Sequence, residues 1–115
     1  MKFATLIYPD PAAHTLEDPD AAAALTAEYI ELRSDTRCLG GGHLQPADTA
    51  TTVHHGGLIT DGPYADTKEV LGGYFIIEAE NIDDALEFAG KIPAVRIGGT
   101  VEVRPLVDIP GEEGF

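Results

Sequence analysis

One cysteine, seven basic residues and no apolar run long enough to span a bilayer are the main shortages of this 115-residue chain. Each of them excludes a class of protein. Cys38 has no second cysteine to pair with inside the chain, which fits a reducing compartment, and its surroundings resemble no nucleophile motif. It reads as a small apolar filler. Only 7 Lys and Arg stand against 20 Asp and Glu, a formal net charge of -13, so a polyphosphate backbone would be repelled and direct nucleic-acid binding is excluded. A small anion remains admissible, because one well-placed guanidinium sets a local field that net charge does not decide. The opening "MKFATLIY" carries one positive charge and ends at Pro9, too brief for a secretion signal or a membrane span, and a cytoplasmic protein is expected. The glycine clusters Gly40 to Gly42, Gly72-Gly73 and Gly98-Gly99 lack the Lys-Ser/Thr of a phosphate loop and the strand-to-helix setting of a dinucleotide fingerprint. They read as turns. With no Ser-His-Asp order, zinc spacing or calcium loop in the chain, no metal and no cofactor are expected.

What is present describes one ordinary globular domain over residues 1–115, with 43% hydrophobic and 23% charged residues. Lys2 to Tyr8 is rich in strand formers and reads as a buried first strand, closed by "PDPAAH". A helix follows. Asp18 and Pro19 form an N-cap and first-turn pair, Ala22, Leu25, Tyr29 and Leu32 recur at helical spacing, and the helix stops before Gly40 to Gly42. "TATTVHHGGLITDG" predicts a hairpin, and "GGYFIIEA" is the strongest strand pattern in the chain. Asn81 then caps a second helix, with Ile82, Ala85, Leu86, Ala89 and Ile92 on one face and Pro93 at its end. The final "TVEVRPL" alternates, putting Val101 and Val103 on one face and Glu102 and Arg104 on the other.

Strand, helix, hairpin, strand, helix, strand is the order of a ferredoxin-like α+β fold, in which both helices cover one face of an antiparallel sheet. The second face is left open. Two such sheets packed face to face would bury it and enclose a cavity, so a homodimer, a dimeric α+β barrel, is expected.

"LQPADTATTV", "DGPYADTKEVLGGYFIIEA", "DDALEFAGKIP" and "GGTVEVRPL" together resemble the DGPF-type branch of the YCII-related proteins, with Tyr64 where that branch usually has Phe. The resemblance runs from the first strand to about Leu106 and implies the same dimeric barrel. It also implies a His and Asp pair at the site of an enzyme, some members being similar to small lyases that act on chlorinated hydroxyaromatics. Other members are fused to, or paired with, sigma-70-type factors, which makes a regulatory partner of transcription initiation the alternative role. Asp61 matches the Asp of the DGP motif. The family histidine, usually associated with the first helix, has no counterpart between Asp20 and Gly42, and His43 is the replacement nearest in sequence.

The candidate chemistry gathers around the hairpin and the last strand. If Gly56-Gly57 is a two-residue turn, His54 faces Ile59 and Thr52 faces Asp61, which places His54 and Asp61 on one face, diagonal neighbours roughly 7 to 8 Å apart. A carboxylate beside an imidazole is an acid-base pair. His55 points the other way, so the adjacent histidines make a poor two-ligand metal site. Asp61 is equally suited to an Asx-type turn on the backbone beyond Pro63, with Asp66 or Thr67 capping a short helical turn over Lys68 and Glu69. Tyr64 and Lys68 are left over as a pocket rim. Arg104 is placed to hold a carboxylate or phenolate, or to pair internally with Glu102 or Glu78, and Tyr8 and Tyr74 are placed to line the same space. The expected ligand is a small polar or aromatic molecule that loses or gains a proton.

Overall fold

The computed structural model of the chain describes residues 1–12 and 18–111. Ala13 and His14, the end of the stretch expected to close the first strand, lie outside them. The elements are β1 (Lys2–Tyr8), α1 (Pro19–Leu32), β2 (Cys38–His43), β3 (Thr51–Val53), β4 (Ile59–Asp61), β5 (Gly73–Glu78), α2 (Ile82–Ala89) and β6 (Thr100–Pro105), with 3-10 turns at Ala47–Thr49 and Pro93–Ile97. Four strands form one antiparallel sheet in the order β2-β5-β1-β6, and β3 and β4 form a separate two-stranded ribbon. This is the ferredoxin-like α+β arrangement, with the ribbon inserted between its second and third strands. No helix among the described residues is long and apolar enough to cross a membrane.

Both helices begin where the sequence places them. The Asp18 carboxylate accepts the Asp20 amide at 3.0 Å with Pro19 in the first turn, and the Asn81 side chain accepts the Asp84 amide at 2.9 Å. The helices cover the face on which Phe3, Ile7, Phe75 and Ile77 project, and the core closes around Phe88, Ile92, Ala85 and Leu32, with Val101 and Val103 packed at its edge. Phe75 meets Phe88 edge to face, ring centres 5.7 Å apart, and stacks on Tyr29 at 6.4 Å. Buried Thr5 is satisfied within the sheet, donating to the Phe75 carbonyl at 3.1 Å. Cys38 is half-buried against this core, in keeping with its reading as a filler.

Three expectations are corrected. The buried stripe of α2 and the turn after it is Ala85, Phe88, Ala89 and Ile92, while Ile82 and Leu86 face out, because the large Phe88 ring turns the helix toward the sheet. The helix ends at Ala89, and Pro93 opens the following 3-10 turn. More consequentially, Gly40 to Gly42 form no turn: they are the body of β2, and the hairpin expected to supply strands of the main sheet stands apart from it.

Glycine has little intrinsic preference for a strand, so β2 is held by what it lies against. A β-carbon on Gly41 would sit 2.4 Å from the Tyr74 carbonyl oxygen and 2.9 Å from the Phe75 ring, and one on Gly73 would sit 2.9 Å from the Gly42 carbonyl. The two strands approach closer than side chains allow. Gly41→Ala is therefore expected to push β2 off β5 and destabilise the fold by about 2 kcal/mol or more, read as a lowered denaturation midpoint, whereas Gly57→Ala, which meets open space and only a strained φ of 91°, is expected to cost about 1 kcal/mol.

Candidate functional site

The uncovered face of the sheet follows from register. Lys2, Ala4, Leu6 and Tyr8 of β1 stand beside Tyr74, Ile76 and Glu78 of β5 and beside Thr100, Glu102 and Arg104 of β6, all on the side away from the helices. Gly40 and Gly42 of β2 complete the face without side chains. A β-carbon on Gly42 would touch the Tyr74 ring at 3.3 Å, so the missing side chain gives that ring its place along the sheet. Arg104 donates through Nε to Glu102 at 2.9 Å, and its Nη2 bonds the same carboxylate oxygen. The internal pair expected for Arg104 is formed, on the expected face. Tyr8, Leu6 and Tyr74 are half-buried there, giving an apolar, aromatic floor with one guanidinium and one carboxylate at its side.

The ribbon residues do not assemble as expected. The observed pairs are Thr51 with Asp61, Thr52 with Thr60 and Val53 with Ile59, one residue away from the expected register. The cause is the loop. Gly57 donates to the His54 carbonyl at 3.0 Å and His54 to the Leu58 carbonyl at 2.7 Å, so the connection holds three residues, His55-Gly56-Gly57, with both glycines at positive φ. A slip of one residue exchanges faces: His54 shares a side with Thr52 and Thr60, and Asp61 lies on the other side with Thr51, Val53 and Ile59. The His54–Asp61 acid-base pair is thus not made within the chain. His54 Nε2 instead meets Thr60 Oγ1 at 2.7 Å, and its ring lies 6.1 Å from that of Tyr64, which is 82% exposed.

Asp61 is not an Asx-turn residue either. The turn after β4 is stitched by others: the Gly62 amide donates to the Ala50 carbonyl at 2.7 Å, the Thr52 hydroxyl to the Gly62 carbonyl at 2.8 Å, and Gly62 itself takes a φ of 93°. Among the described residues the Asp61 carboxylate has no hydrogen-bond or ion-pair partner. Residues 64–70 form bends, not a helical turn, with the Thr67 hydroxyl donating to the Glu69 carbonyl at 2.8 Å and Lys68 exposed. His43, opposite Gly73 at the end of β2, belongs by alternation to the helix side of the sheet and is exposed there, away from Tyr8 and Arg104. No group of three His, Cys, Asp or Glu residues among the described ones could hold a metal ion.

The strongest polar constellation is one that sequence reasoning missed. Arg37, in the segment leading into β2, donates through Nε and Nη2 to the two oxygens of Asp35 at 2.9 and 2.8 Å, through Nη1 to the Asp84 carboxylate at 2.8 Å, and lies 2.6 Å from Glu87. Its guanidinium stands 5.6 Å from the centre of the Phe88 ring. These bonds, chiefly the Arg37 side chain's, hold the Asp35 carboxyl down at about 2. The Asp84 carboxyl is lowered by the Glu80 amide and by Arg37, and Glu87 by Lys91 and Arg37. Its cation and anions consume one another, so the depression bounded by Arg37, Glu78, Glu80 and Asp84 is a clamp between the α1–β2 loop and α2. The only sequence signal was Asp35-x-Arg37, which does not announce partners 47 and 50 positions further on.

A YCII-related domain matches residues 1–110, and the chain belongs to that family. An uncharacterized protein of Rhizobium meliloti (strain 1021) is 39% identical over 74 residues, a match that spans 60% of this chain and 60% of the relative. Among solved structures, 5-chloro-2-hydroxyhydroquinone dehydrochlorinase of Burkholderia phenoliruptrix, in complex with 2,5-dihydroxybenzoquinone, superposes with a TM-score of 0.55 over 93% of this chain and 94% of that one, at 22% identity. That similarity is one of fold.

Three outcomes are expected here. Arg37→Ala takes the shared cation from Asp35, Asp84 and Glu87 and is expected to lower the denaturation midpoint, whereas Asp61→Ala, on an exposed group with no partner among the described residues, stays within about 0.5 kcal/mol. A carboxylate with a depressed folded pKa contributes stability that is complete above its unfolded value near 4 and is lost as pH falls toward 2. Asp35→Asn is accordingly expected to lower the melting temperature at pH 7 and to flatten its decline between about pH 4 and pH 2.

Proposed function

We propose that this YCII-related protein, of the DGPF-type branch, is a homodimer that holds a small planar molecule bearing an acidic oxygen between the open faces of its two sheets. One observation carries the reading: the only guanidinium among the described residues of the uncovered face, that of Arg104, stands opposite Ala4 on a face whose floor continues through Leu6 and Tyr74 to Tyr8. Among the described residues Arg104 is paired with Glu102, and 67% of its side chain is exposed. A carboxylate or phenolate competes for the same fork of donors while its ring covers the floor.

The reaction class this site supports without a cofactor is proton transfer, as in a lyase or isomerase, because phenol hydroxyls and a carboxylate beside a bound acidic oxygen both donate and accept protons. The named complex of the fold neighbour, a dihydroxybenzoquinone, has the size and acidity that such a floor and fork would take. In this reading Asp61, His54, His43, Tyr64 and Lys68 belong to the rim of the dimeric cavity at most, since none of them shares the face of Tyr8 and Arg104. Calorimetric titration with 2,5-dihydroxybenzoquinone is expected to show saturable binding, weakened about ten- to a hundredfold in Arg104→Gln. Absence of binding to the wild type, or equal affinity in the variant, would overturn the assignment.

A further inference from the structure

One row of the open face carries a polar group at each end. Across the strands, Glu102 of β6, Leu6 of β1, Tyr74 of β5 and Gly42 of β2 stand opposite one another. Arg104 joins this row from its own place on β6, through its bonds to the Glu102 carboxylate. Leu6 and Tyr74, both half-buried, form the apolar middle.

The far end is set by a missing side chain. A β-carbon on Gly42 would lie 3.3 Å from Cε1, 3.5 Å from Cζ and 3.4 Å from Oη of Tyr74, so the tip of the ring reaches over the glycine and its hydroxyl stands above β2. Among the described residues that hydroxyl has no hydrogen-bond partner. A phenol has one proton to donate and lone pairs that accept, and both are left for a ligand.

Length then selects the ligand. From β6 to β2 is three strand spacings, about 14 Å. A hydrogen bond of about 3 Å at either end leaves about 8 Å between them. One six-membered ring with an oxygen-bearing group at each of two para positions fills that length. A ring with a single polar end, held by the guanidinium, leaves the Tyr74 hydroxyl unmatched.

We infer that the Tyr74 hydroxyl is the second polar contact of the site and that Gly42 positions it. The ligand is then a single-ring molecule with an acidic oxygen at the Arg104 end and a second oxygen para to it. The inference rests on the Arg104 anchor of the proposed function and not on the number of copies in the assembly. It divides the work of the glycine strand: Gly41 lets β2 approach β5, and Gly42 leaves the ring tip its place.

Calorimetric titration of the full chain with 4-hydroxybenzoate and with benzoate tests this, because the two probes differ only in the para oxygen. The wild type is expected to bind 4-hydroxybenzoate about three- to tenfold more tightly than benzoate, the effect of one hydrogen bond. Tyr74→Phe keeps the ring and is expected to bring that ratio to about one. Gly42→Ala is expected to do the same, since its β-carbon displaces the ring tip, and to change the ratio no further when combined with Tyr74→Phe. The ratio is the readout because a variant that merely loosens the sheet weakens both probes alike. A wild type without the preference, or a preference that survives in Tyr74→Phe, overturns the Tyr74 contact and leaves the Arg104 anchor standing. A preference lost in Tyr74→Phe but kept in Gly42→Ala overturns the positioning role of Gly42. Failure of both probes to bind the wild type, or unchanged affinity for both in Arg104→Gln, overturns the proposed function and this inference with it.

Discussion

The middle of strand β2, Gly40 to Gly42, has no side chains with which to hold its place, and the open face of the sheet depends on its being held. Two interactions of different kind do so. Along its length the backbone ladder to β5 is drawn in until Gly41 leaves no room for a β-carbon. At its entry, Arg37 ties the chain through Asp35, Asp84 and Glu87 to α2, and the Arg37 carbonyl accepts the Glu78 amide at 2.8 Å. A glycine strand on its own would fray, because glycine surrenders the most backbone entropy on ordering. The clamp fixes one end so that the ladder can propagate from it.

The open face and the insertion both follow from that placement. With Gly40 and Gly42 turned to the open face, the Tyr74 ring finds room along the sheet, and the floor reaches from Tyr8 and Leu6 across to the edge strand. With His43 fixed opposite Gly73, the chain leaves the sheet at one corner and must return there, so the twenty-nine residues between the two strands form an insertion rooted at that corner. A bulkier β2 would fill the floor. A looser one would leave the insertion without a fixed root.

The sequence disclosed those elements whose chemistry is local. A run of strand formers revealed β1, alternation revealed β6, an aromatic and β-branched run revealed β5, and Asp18-Pro19 and Asn81 marked both helix starts, since a cap and its first turn are adjacent in the chain. It hid those whose cause lies elsewhere. Gly40 to Gly42 carry no propensity for a strand, and only the Tyr74 carbonyl beside Gly41 explains them. The ribbon itself was legible but not its register, because "HHGG" admits a two- or a three-residue loop and the choice decides which face every side chain takes. Arg104 was placed on the correct face with the correct partner, since strand alternation is local. The clamp around Arg37 was invisible, its acidic partners on α2 being separated from it by the whole of the insertion and β5.

Charge distribution bears on the open face in a way that composition conceals. The chain carries 20 acidic and 7 basic residues, yet the face of the sheet away from the helices holds two of each, Glu78 and Glu102 against Lys2 and Arg104. The excess of negative charge lies elsewhere: on α1 with Asp20, Glu28 and Glu31, on α2 with Asp83, Asp84 and Glu87, and through the loops. Two copies approaching by their helix sides would bring like charges together, at a cost that rises as water is excluded between them. Approach by the open faces meets no such barrier, because Lys2 and Arg104 balance Glu78 and Glu102 there. The same local balance leaves Arg104 in a weaker negative field than the overall charge of the chain would suggest. Strong net charge with one balanced face thus makes the open side of the sheet the surface on which charge least opposes contact.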